Sequence, residues 1–196
     1  MKKIQCFFSV IVAIMICFGT TLLCFAGEDK SAVDQGMLLV VVDQSKEKYG
    51  AELKDEVYNQ LKNQVKGLVK EESTLHDMNS KSANEVAKAE QPELLELANE
   101  KGVKQVLVVE ILPTKSDFSD IILYKAIKSE ATLKIRLYDA FTKQYMLNET
   151  VSAIDTNKTY IPYTGVGKKV TVLTAVHKAT DIVGEKVNQK VLSVNK

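Results

Sequence analysis

The side chains that could carry out chemistry in this chain are mainly acids. His76 and His177 are the two histidines, and neither has a second histidine three to five residues away, as a metal-binding helix would supply. No G-x-S-x-G segment is present to expose a nucleophilic serine. We therefore expect no catalytic residue, no metal site and no cofactor.

Four acids are the remaining candidates for catalysis, because they lie at or near the ends of predicted strands, where active sites often form. They are Asp43, Glu110, Asp139 and Asp155. Two such carboxylates held together could act as general acid and general base, and the sequence leaves that open. Acids at strand ends are also ordinary turn formers, and we interpret these four in that way.

The segment TGVGKKVT (residues 164–171) is similar to a phosphate-binding loop, because glycine and lysine precede a predicted helix. The spacing is wrong, since Pro162 stands where the first glycine belongs and Lys169 stands where a serine or threonine would bind the metal. The start of the helix could still attract an anion. We interpret Gly165 and Gly167 as residues that let the chain turn into the helix.

An aromatic and apolar loop precedes this turn. It contains Tyr160, Ile161 and Tyr163 within the segment TYIPY. Tyrosine is enriched where proteins contact one another, because its ring is largely apolar and its hydroxyl can hydrogen-bond. We predict that this loop contacts a partner protein.

The amino terminus has the pattern of a secretory signal peptide. Two lysines precede an almost uninterrupted apolar run at residues 4–25, after which charged residues return. Cleavage after Ala26 would leave Gly27 as the first residue of the mature chain. We therefore predict a signal peptide at residues 1–26 and a single domain at residues 27–196.

Two other kinds of leader fit this amino terminus less well. A lipoprotein leader needs a small residue before the acylated cysteine, whereas Leu23 precedes Cys24. An uncleaved anchor is compatible with the length of the apolar run, since about 20 residues span a bilayer. The protein would then contact a membrane only through its signal segment. Whether the leader is cleaved or kept as an anchor, we predict an exported protein, periplasmic or extracellular.

Composition excludes several classes of protein. The 26 Lys and Arg residues balance 25 Asp and Glu residues, so bulk charge does not attract nucleic acid. Cys6, Cys17 and Cys24 all lie in the leader, so a mature chain would have no disulfide and could not be a disulfide-stapled miniature fold. The mature length suits one domain with a hydrophobic core.

Hydrophobic periodicity predicts the strands. The runs MLLVVVD (residues 37–43) and KQVLVVEILP (104–113) are apolar on both faces, as expected of central strands. The alternation in residues 121–139 predicts a long strand with one solvated face. A similar alternation from Tyr145 predicts its antiparallel return, with Glu149 at a bulge.

Two further segments and the helices complete the predicted order of elements. We predict a short strand at residues 72–78 and a polar turn, TKSDFSD, at residues 114–120. Periodic apolar stripes and cap residues predict helices at residues 49–69, 82–90, 91–102 and 167–192. This order predicts an α+β fold. We expect a mixed sheet of about five strands with a long antiparallel hairpin, packed mainly on one face against two long amphipathic helices and one or two shorter ones.

The predicted hairpin reverses within LYDAFTKQYM (residues 137–146). Asp139 ends the first strand, and Thr142 and Lys143 lie at the reversal. An aspartate in this position accepts hydrogen bonds from the backbone of its own turn. We therefore predict that these three residues form a structural turn and that Asp139 is not a catalytic acid.

Three segments, MLLVVVDQSKEKYGAELKDEVYNQL, ELANEKGVKQVLVVEI and IRLYDAFTKQYM, resemble parts of CsgG-like, LpoB-like and TolB amino-terminal-domain-like proteins of the bacterial envelope. The first looks like their opening strand, loop and long helix, the second like their helix, glycine turn and core strand, and the third like their strand, turn and strand. In that third pattern a Gly follows the turn Thr, whereas Lys143 follows it here. The resemblance spans the predicted domain in its order of elements.

The resemblance implies a module that binds envelope proteins or builds a complex, with no catalytic residues to carry over. We therefore expect an exported, non-catalytic protein-binding or assembly module, whose partner is another envelope protein or, by self-association, the chain itself. The alternative is a small-molecule or anion-binding protein, or less readily an enzyme, that uses a cleft between the strand-end acids and the turn at Gly165 and Gly167.

Overall fold

A parallel pair of apolar strands forms the centre of the sheet. A computed structural model describes four stretches of the chain, residues 36–68, 85–121, 124–160 and 167–194. Within them, β1 (Met37–Asp43) and β2 (Gln105–Ile111) run parallel in continuous register. Every residue of β2 is buried, and so is every residue of β1 except Asp43. Strands so rich in apolar residues are covered on both faces, as the sequence predicts.

The long strand β4 (Tyr124–Asp139) organises the rest of the sheet. One of its edges pairs antiparallel with β5 (Gln144–Thr159) along almost its whole length. Its other edge pairs with β2 over residues 133–139 and with β3 (Lys115–Ile121) over residues 124–130. The result is a mixed sheet of five strands with a long antiparallel hairpin.

The strand β3 shows that the turn predicted at residues 114–120 was wrong. Its residues pair antiparallel with β4, and Phe118 lies opposite Ile127. Most side chains of β3 are exposed, Phe118 among them. A strand with water on both faces shows no apolar alternation, and this is why the sequence does not indicate it.

In the part of the chain that the structure describes, three helices and a single helical turn accompany the sheet. They are α1 (Gly50–Gln64), a helical turn at residues 85–88, α2 (Gln91–Lys101) and α3 (Lys168–Val194). The helix α1 stops earlier than predicted, because Val65 is extended and Leu68 bridges to Met37. The helix α2 ends at Gly102, whose left-handed φ of 65° suits a glycine. Within the described residues, none of the helices is long and apolar enough to cross a membrane.

The helices cover the two faces of the sheet unequally. On one face, α1 and α3 pack across the strands, and Leu53, Leu107 and Val183 lie in their shared core. On the other face, α2 and the helical turn cover β1, β2 and the end of β4, where Leu94 and Val108 are buried. The predicted α+β class, with its mixed sheet and long amphipathic helices, is confirmed.

The bulge of the hairpin lies at Met146, not at Glu149 as predicted. The register between β4 and β5 skips Met146 and is regular on both sides of it. Glu149 stays in register and binds Lys186 of α3, with Oε1 and Nζ 2.8 Å apart. An acid is therefore accommodated among inward-facing residues because α3 supplies its counter-charge.

Some predictions fall on residues outside the described ones. They are the signal peptide at residues 1–26, its cleavage between Ala26 and Gly27, the short strand at residues 72–78 and the first three residues of the helix at 82–90. These remain predictions from the sequence.

Candidate interaction surface

The four strand-end acids do not converge on a common site. Asp43 accepts a hydrogen bond from a backbone N–H two residues later, and Asp155 binds a lysine of α3. Glu110 binds an arginine, and Asp139 closes the hairpin turn. Among the described residues, no group of three or more His, Cys, Asp and Glu side chains could hold a metal ion. Each acid therefore has a structural partner of its own.

Glu110 belongs to a buried ion cluster on the α2 side of the sheet. Arg136 Nη2 lies 3.3 Å from Glu110 Oε1, and the two side chains are 8% and 6% exposed. Arg136 also donates to three backbone carbonyls in and just after the helical turn at residues 85–88, at 2.6–3.1 Å. Lys134 Nζ, 3.3 Å from the same Glu110 oxygen, borders the cluster on its exposed side. The cluster attaches the helical turn to the sheet.

The predicted solvation of this face of β4 was wrong at Arg136 and Tyr138, which are buried. The alternation itself is correct, but α2 and the preceding helical turn cover that end of the face. The burial of Arg136 could have been predicted from Glu110, an acid inside an otherwise apolar central strand. Such a residue is seldom buried without a counter-charge, and β4 offers one at Arg136.

A second ion pair occupies the start of α3. Lys168 Nζ lies 2.8 and 3.1 Å from the two carboxylate oxygens of Glu47, to which the Thr114 hydroxyl also donates. Burial raises the pKa of Glu47, but the hydrogen bonds from Lys168 and Thr114 outweigh burial and leave the pKa below its ordinary value. Burial, and then the charge of Glu47, raise the pKa of Tyr49 to about 12. An anion at this helix start would have to compete with Glu47.

Asp139 holds the hairpin turn by the hydrogen bonds that its position indicated. Its Oδ1 accepts from the backbone N–H groups of Phe141 and Thr142, both at 2.9 Å, and from the Thr142 hydroxyl at 3.3 Å. Gln105 donates to the other carboxylate oxygen at 3.3 Å. Burial raises the pKa of Asp139, but these bonds more than reverse that effect. Lys143 completes the turn with a left-handed φ of 57°.

Tyr160 is the described residue of the predicted partner-contact loop. Its side chain is 73% exposed. Its ring centroid lies 6.1 Å from that of Tyr124, the first residue of β4, with the rings tilted by 53°. Ile161, Tyr163 and Gly165 lie outside the described residues. Tyr160 and Tyr124 thus form an aromatic pair at the end of the hairpin opposite its turn.

The outer edge of β5, with which no other described strand pairs, has backbone groups free to bind. Their direction follows from one hydrogen bond, in which the Leu112 N–H donates to the Thr132 carbonyl at 2.9 Å. The backbone groups of Thr132 therefore point away from β5. Because Thr132 lies opposite Ser152, the two form a non-hydrogen-bonded pair, and the N–H and C=O of Ser152 point outward.

Alternate residues of β5 share this outward orientation, because the register is regular beyond the bulge. Five of them with exposed side chains are Asn148, Thr150, Ser152, Ile154 and Thr156. Features that usually protect an edge strand lie near its ends, where Met146 forms a bulge and Lys158 carries a charge, and on its α3 face, where Glu149 and Asp155 bind lysines of α3. We call residues 148–156 the open edge. An extended segment could add a strand to the sheet there.

The fold and this surface define the chain as an α+β protein with an open edge strand. No family model matches the sequence, and no curated protein matches it. Solved structures are similar to it at low identity. The hypothetical protein CT253 from Chlamydia trachomatis is 14% identical, with 80% of this chain and 95% of that chain covered and a TM-score of 0.49.

Two bacterial lipoproteins are similar to the chain with lower TM-scores. Lipoprotein GNA1162 from Neisseria meningitidis is 15% identical, with 79% of this chain and 96% of that chain covered and a TM-score of 0.44. A minor lipoprotein from Acinetobacter baumannii is 10% identical, with 80% and 94% covered and a TM-score of 0.40. Similarity at this level says nothing about what the chain binds.

Proposed function

We propose that this protein is an exported, non-catalytic module of the bacterial cell envelope that binds proteins along its open edge. The observation that carries the proposal is the row of outward-facing N–H and C=O groups at residues 148–156 of β5. An extended segment that pairs there gains main-chain hydrogen bonds, and the alternating side chains set its specificity. The partner is another envelope protein or, by self-association, the chain itself.

Two features of the sequence support the envelope location and the non-catalytic role. Residues 1–26 have the pattern of a secretory signal peptide. Three segments resemble CsgG-like, LpoB-like and TolB amino-terminal-domain-like proteins, and this resemblance implies protein contacts without catalysis. The identity of the partner will show which envelope process the protein serves.

The aromatic pair of Tyr160 and Tyr124 extends the proposed contact surface. Tyr160 follows β5 directly, so a segment paired along the open edge would continue toward its ring. An exposed tyrosine of this kind can cover an apolar residue of a partner while its hydroxyl stays hydrated. We therefore expect Tyr160→Ala to weaken partner binding without unfolding the protein.

The test compares two substitutions at one position of the open edge. Thr150→Pro removes an outward N–H that β4 does not use, so the sheet is retained while strand addition is blocked. Thr150→Ala removes the same side chain but keeps the N–H group. With the tagged full chain and envelope extracts, we expect wild type and Thr150→Ala to capture a defined protein and Thr150→Pro to capture roughly tenfold less.

Circular dichroism spectra and melting temperatures establish whether all three proteins are folded. Equal capture by Thr150→Pro and Thr150→Ala would show that the open edge is not the contact. If no protein is captured and a metabolite or metal ion raises the melting temperature, the chain is a small-molecule-binding protein and the proposal is wrong.

A further inference from the structure

We infer that the strand that pairs with the open edge is β5 of a second copy of this chain, antiparallel and related by a two-fold axis at Ile154. This inference rests on the proposed binding at the open edge and adds the identity of the partner and the register. Closed two-fold dimers are the commonest protein oligomers, because one surface then serves both partners.

The register at Ile154 agrees with the direction of the backbone groups. With the axis at Ile154, this residue lies opposite its own counterpart, and Ser152 lies opposite Thr156 of the second copy. Thr150 then lies opposite Lys158. All of these positions direct their N–H and C=O groups outward, so each opposed pair can exchange two main-chain hydrogen bonds. The two sheets would join into one continuous sheet.

The acids of β5 disfavour the neighbouring register centred on Ser152. That register would place Glu149 of each copy opposite Asp155 of the other, and like charges directly opposite each other destabilise a strand pair. With the axis at Ile154, Asp155 lies opposite Ala153 and Glu149 lies opposite a threonine. The charge pattern of the strand therefore favours the register at Ile154.

Ile154 is the residue that makes a second copy the fitting partner. Its side chain is 47% exposed, on the face of β5 that points away from α3. It lies between Ser152 and Thr156, two polar residues. A register centred on Ala153 would place Ile154 opposite Ser152 and leave it in water. With the axis at Ile154, symmetry supplies a second isoleucine, and each covers apolar surface of the other.

Two lysines of α3 compensate the acids of β5 along this edge. Lys178 Nζ lies 2.7 Å from Asp155, and Lys186 Nζ lies 2.8 Å from Glu149. Each acid of β5 thus has its own counter-charge within its own copy. Ile182, one helical turn from each lysine, is an apolar residue packed partly against the core. The acids of β5 would therefore already be paired when two copies meet.

Single-cysteine cross-linking tests this register. In the full chain, Cys6, Cys17 and Cys24 are changed to serine, so that an introduced thiol is the only one. With a short bis-methanethiosulfonate cross-linker, Ile154→Cys should form a covalent dimer. Ser152→Cys alone should not, because its two thiols would lie roughly 13 Å apart along the strands. A mixture of Ser152→Cys and Thr156→Cys chains should cross-link.

Sedimentation of the cysteine-free chain gives an independent measurement. We expect a dimer for this chain and for Thr156→Ala, and a monomer for Thr156→Pro, which loses an outward N–H group. Association through the apolar leader would persist in Thr156→Pro and would overturn the inference. A monomeric parent chain, or cross-linking of Ser152→Cys as efficient as that of Ile154→Cys, would do so as well.

The outcome also separates this inference from the proposed function. If the parent chain is monomeric but captures an envelope protein that Thr150→Pro loses, the open edge binds a foreign strand and only the inference fails. If the chain neither dimerises nor captures a protein, both fail.

Discussion

Arg136 of β4 and Glu110 of β2 are diagonal neighbours that form an ion pair, with Nη2 and Oε1 3.3 Å apart and both side chains more than nine-tenths buried. Arg136 also binds three carbonyls around the helical turn at residues 85–88. A buried ion pair adds little stability over a well-packed apolar pair, but loss of one partner is costly. This pair therefore helps to hold the helical turn against the sheet.

The first prediction concerns the loss of one charge from this pair. Arg136→Met should lower the free energy of unfolding by about 3–5 kcal/mol, because it leaves Glu110 buried without its arginine. Adding Glu110→Leu should restore part of that loss, since the orphaned acid is then removed. Lys134→Met, at the exposed border of the cluster, should cost less than about 1 kcal/mol. Urea denaturation compares wild type, these three variants and the single variant Glu110→Leu, and strictly additive losses for Arg136→Met and Glu110→Leu would contradict the coupling.

The second prediction concerns the pH dependence of the hairpin turn. The pKa of Asp139 lies below its ordinary value of 3.8. Its carboxylate therefore stabilises the fold fully above pH 3.8, and this stability is lost as the pH falls through the lowered pKa. Asp139→Asn should lose about 1–3 kcal/mol at pH 7, and the difference from wild type should shrink at more acidic pH. A difference that stays constant down to pH 2 would refute this role.

The third prediction concerns the residue that departs from the resembled pattern. Lys143 has a φ of 57°, a conformation that is unfavourable for residues with a Cβ atom. Lys143→Gly should raise the free energy of unfolding by roughly 0.5–1 kcal/mol, because glycine adopts this conformation without steric cost. Lys143→Ala removes the same charge but retains the Cβ and should change stability little. Thermal unfolding distinguishes the two, and a destabilised glycine variant would contradict the prediction.

The fourth prediction concerns titration at high pH. Burial, with Glu47 nearby, raises the pKa of Tyr49 to about 12, above the ordinary value of 10. Its contribution to stability is present below pH 10 and is lost as the pH rises from 10 to 12, since the unfolded chain ionises first. The tyrosinate absorbance of wild type minus that of Tyr49→Phe should show this late titration. Glu47→Gln should move it to lower pH, and an unchanged midpoint would exclude the charge of Glu47 as a cause.

The fifth prediction concerns the close approach of Gly50 to β1. A Cβ at Gly50 would collide with the Asp43 carboxylate, whereas one at Gly167 would meet nothing closer than 3.8 Å. Gly50→Ala should therefore cost about 1–3 kcal/mol through overpacking. Gly167→Ala should cost less than about 1 kcal/mol, and chemical denaturation compares the two. Equal losses would show that the collision is relieved by a small movement of Asp43.

The elements that the sequence predicts well are those whose own residue pattern indicates their structure. The strands β1 and β2 are apolar on both faces, and α3 repeats its apolar residues at helical spacing, so each pattern reports its own environment. The turn at Asp139 is similar, because its hydrogen bonds join residues adjacent in the chain. These features depend on few contacts with distant parts of the chain.

The features that the sequence did not predict depend on distant neighbours. The strand β3 is polar on both faces, so only its pairing with β4 defines it. Arg136 is buried because residues 85–98 pack over it. The outward direction of the backbone groups along the open edge required the register of Thr132 with Ser152. These features arise from the pairing of strands and from the packing of helices over the sheet. The hydrophobic periodicity of a single segment does not indicate either.

The parallel pairing of β1 with β2 has a consequence for the order in which the protein folds. The strands β4 and β5 join through a short turn, so they can pair early at small cost in loop entropy. By contrast, β1 must wait for β2, which follows it after α1 and α2. Long-range pairings of this kind slow folding. Of the described strands, β1 is synthesised first, yet it is among the last to pair. Until then, the edge of β2 that β1 will cover stays unpaired.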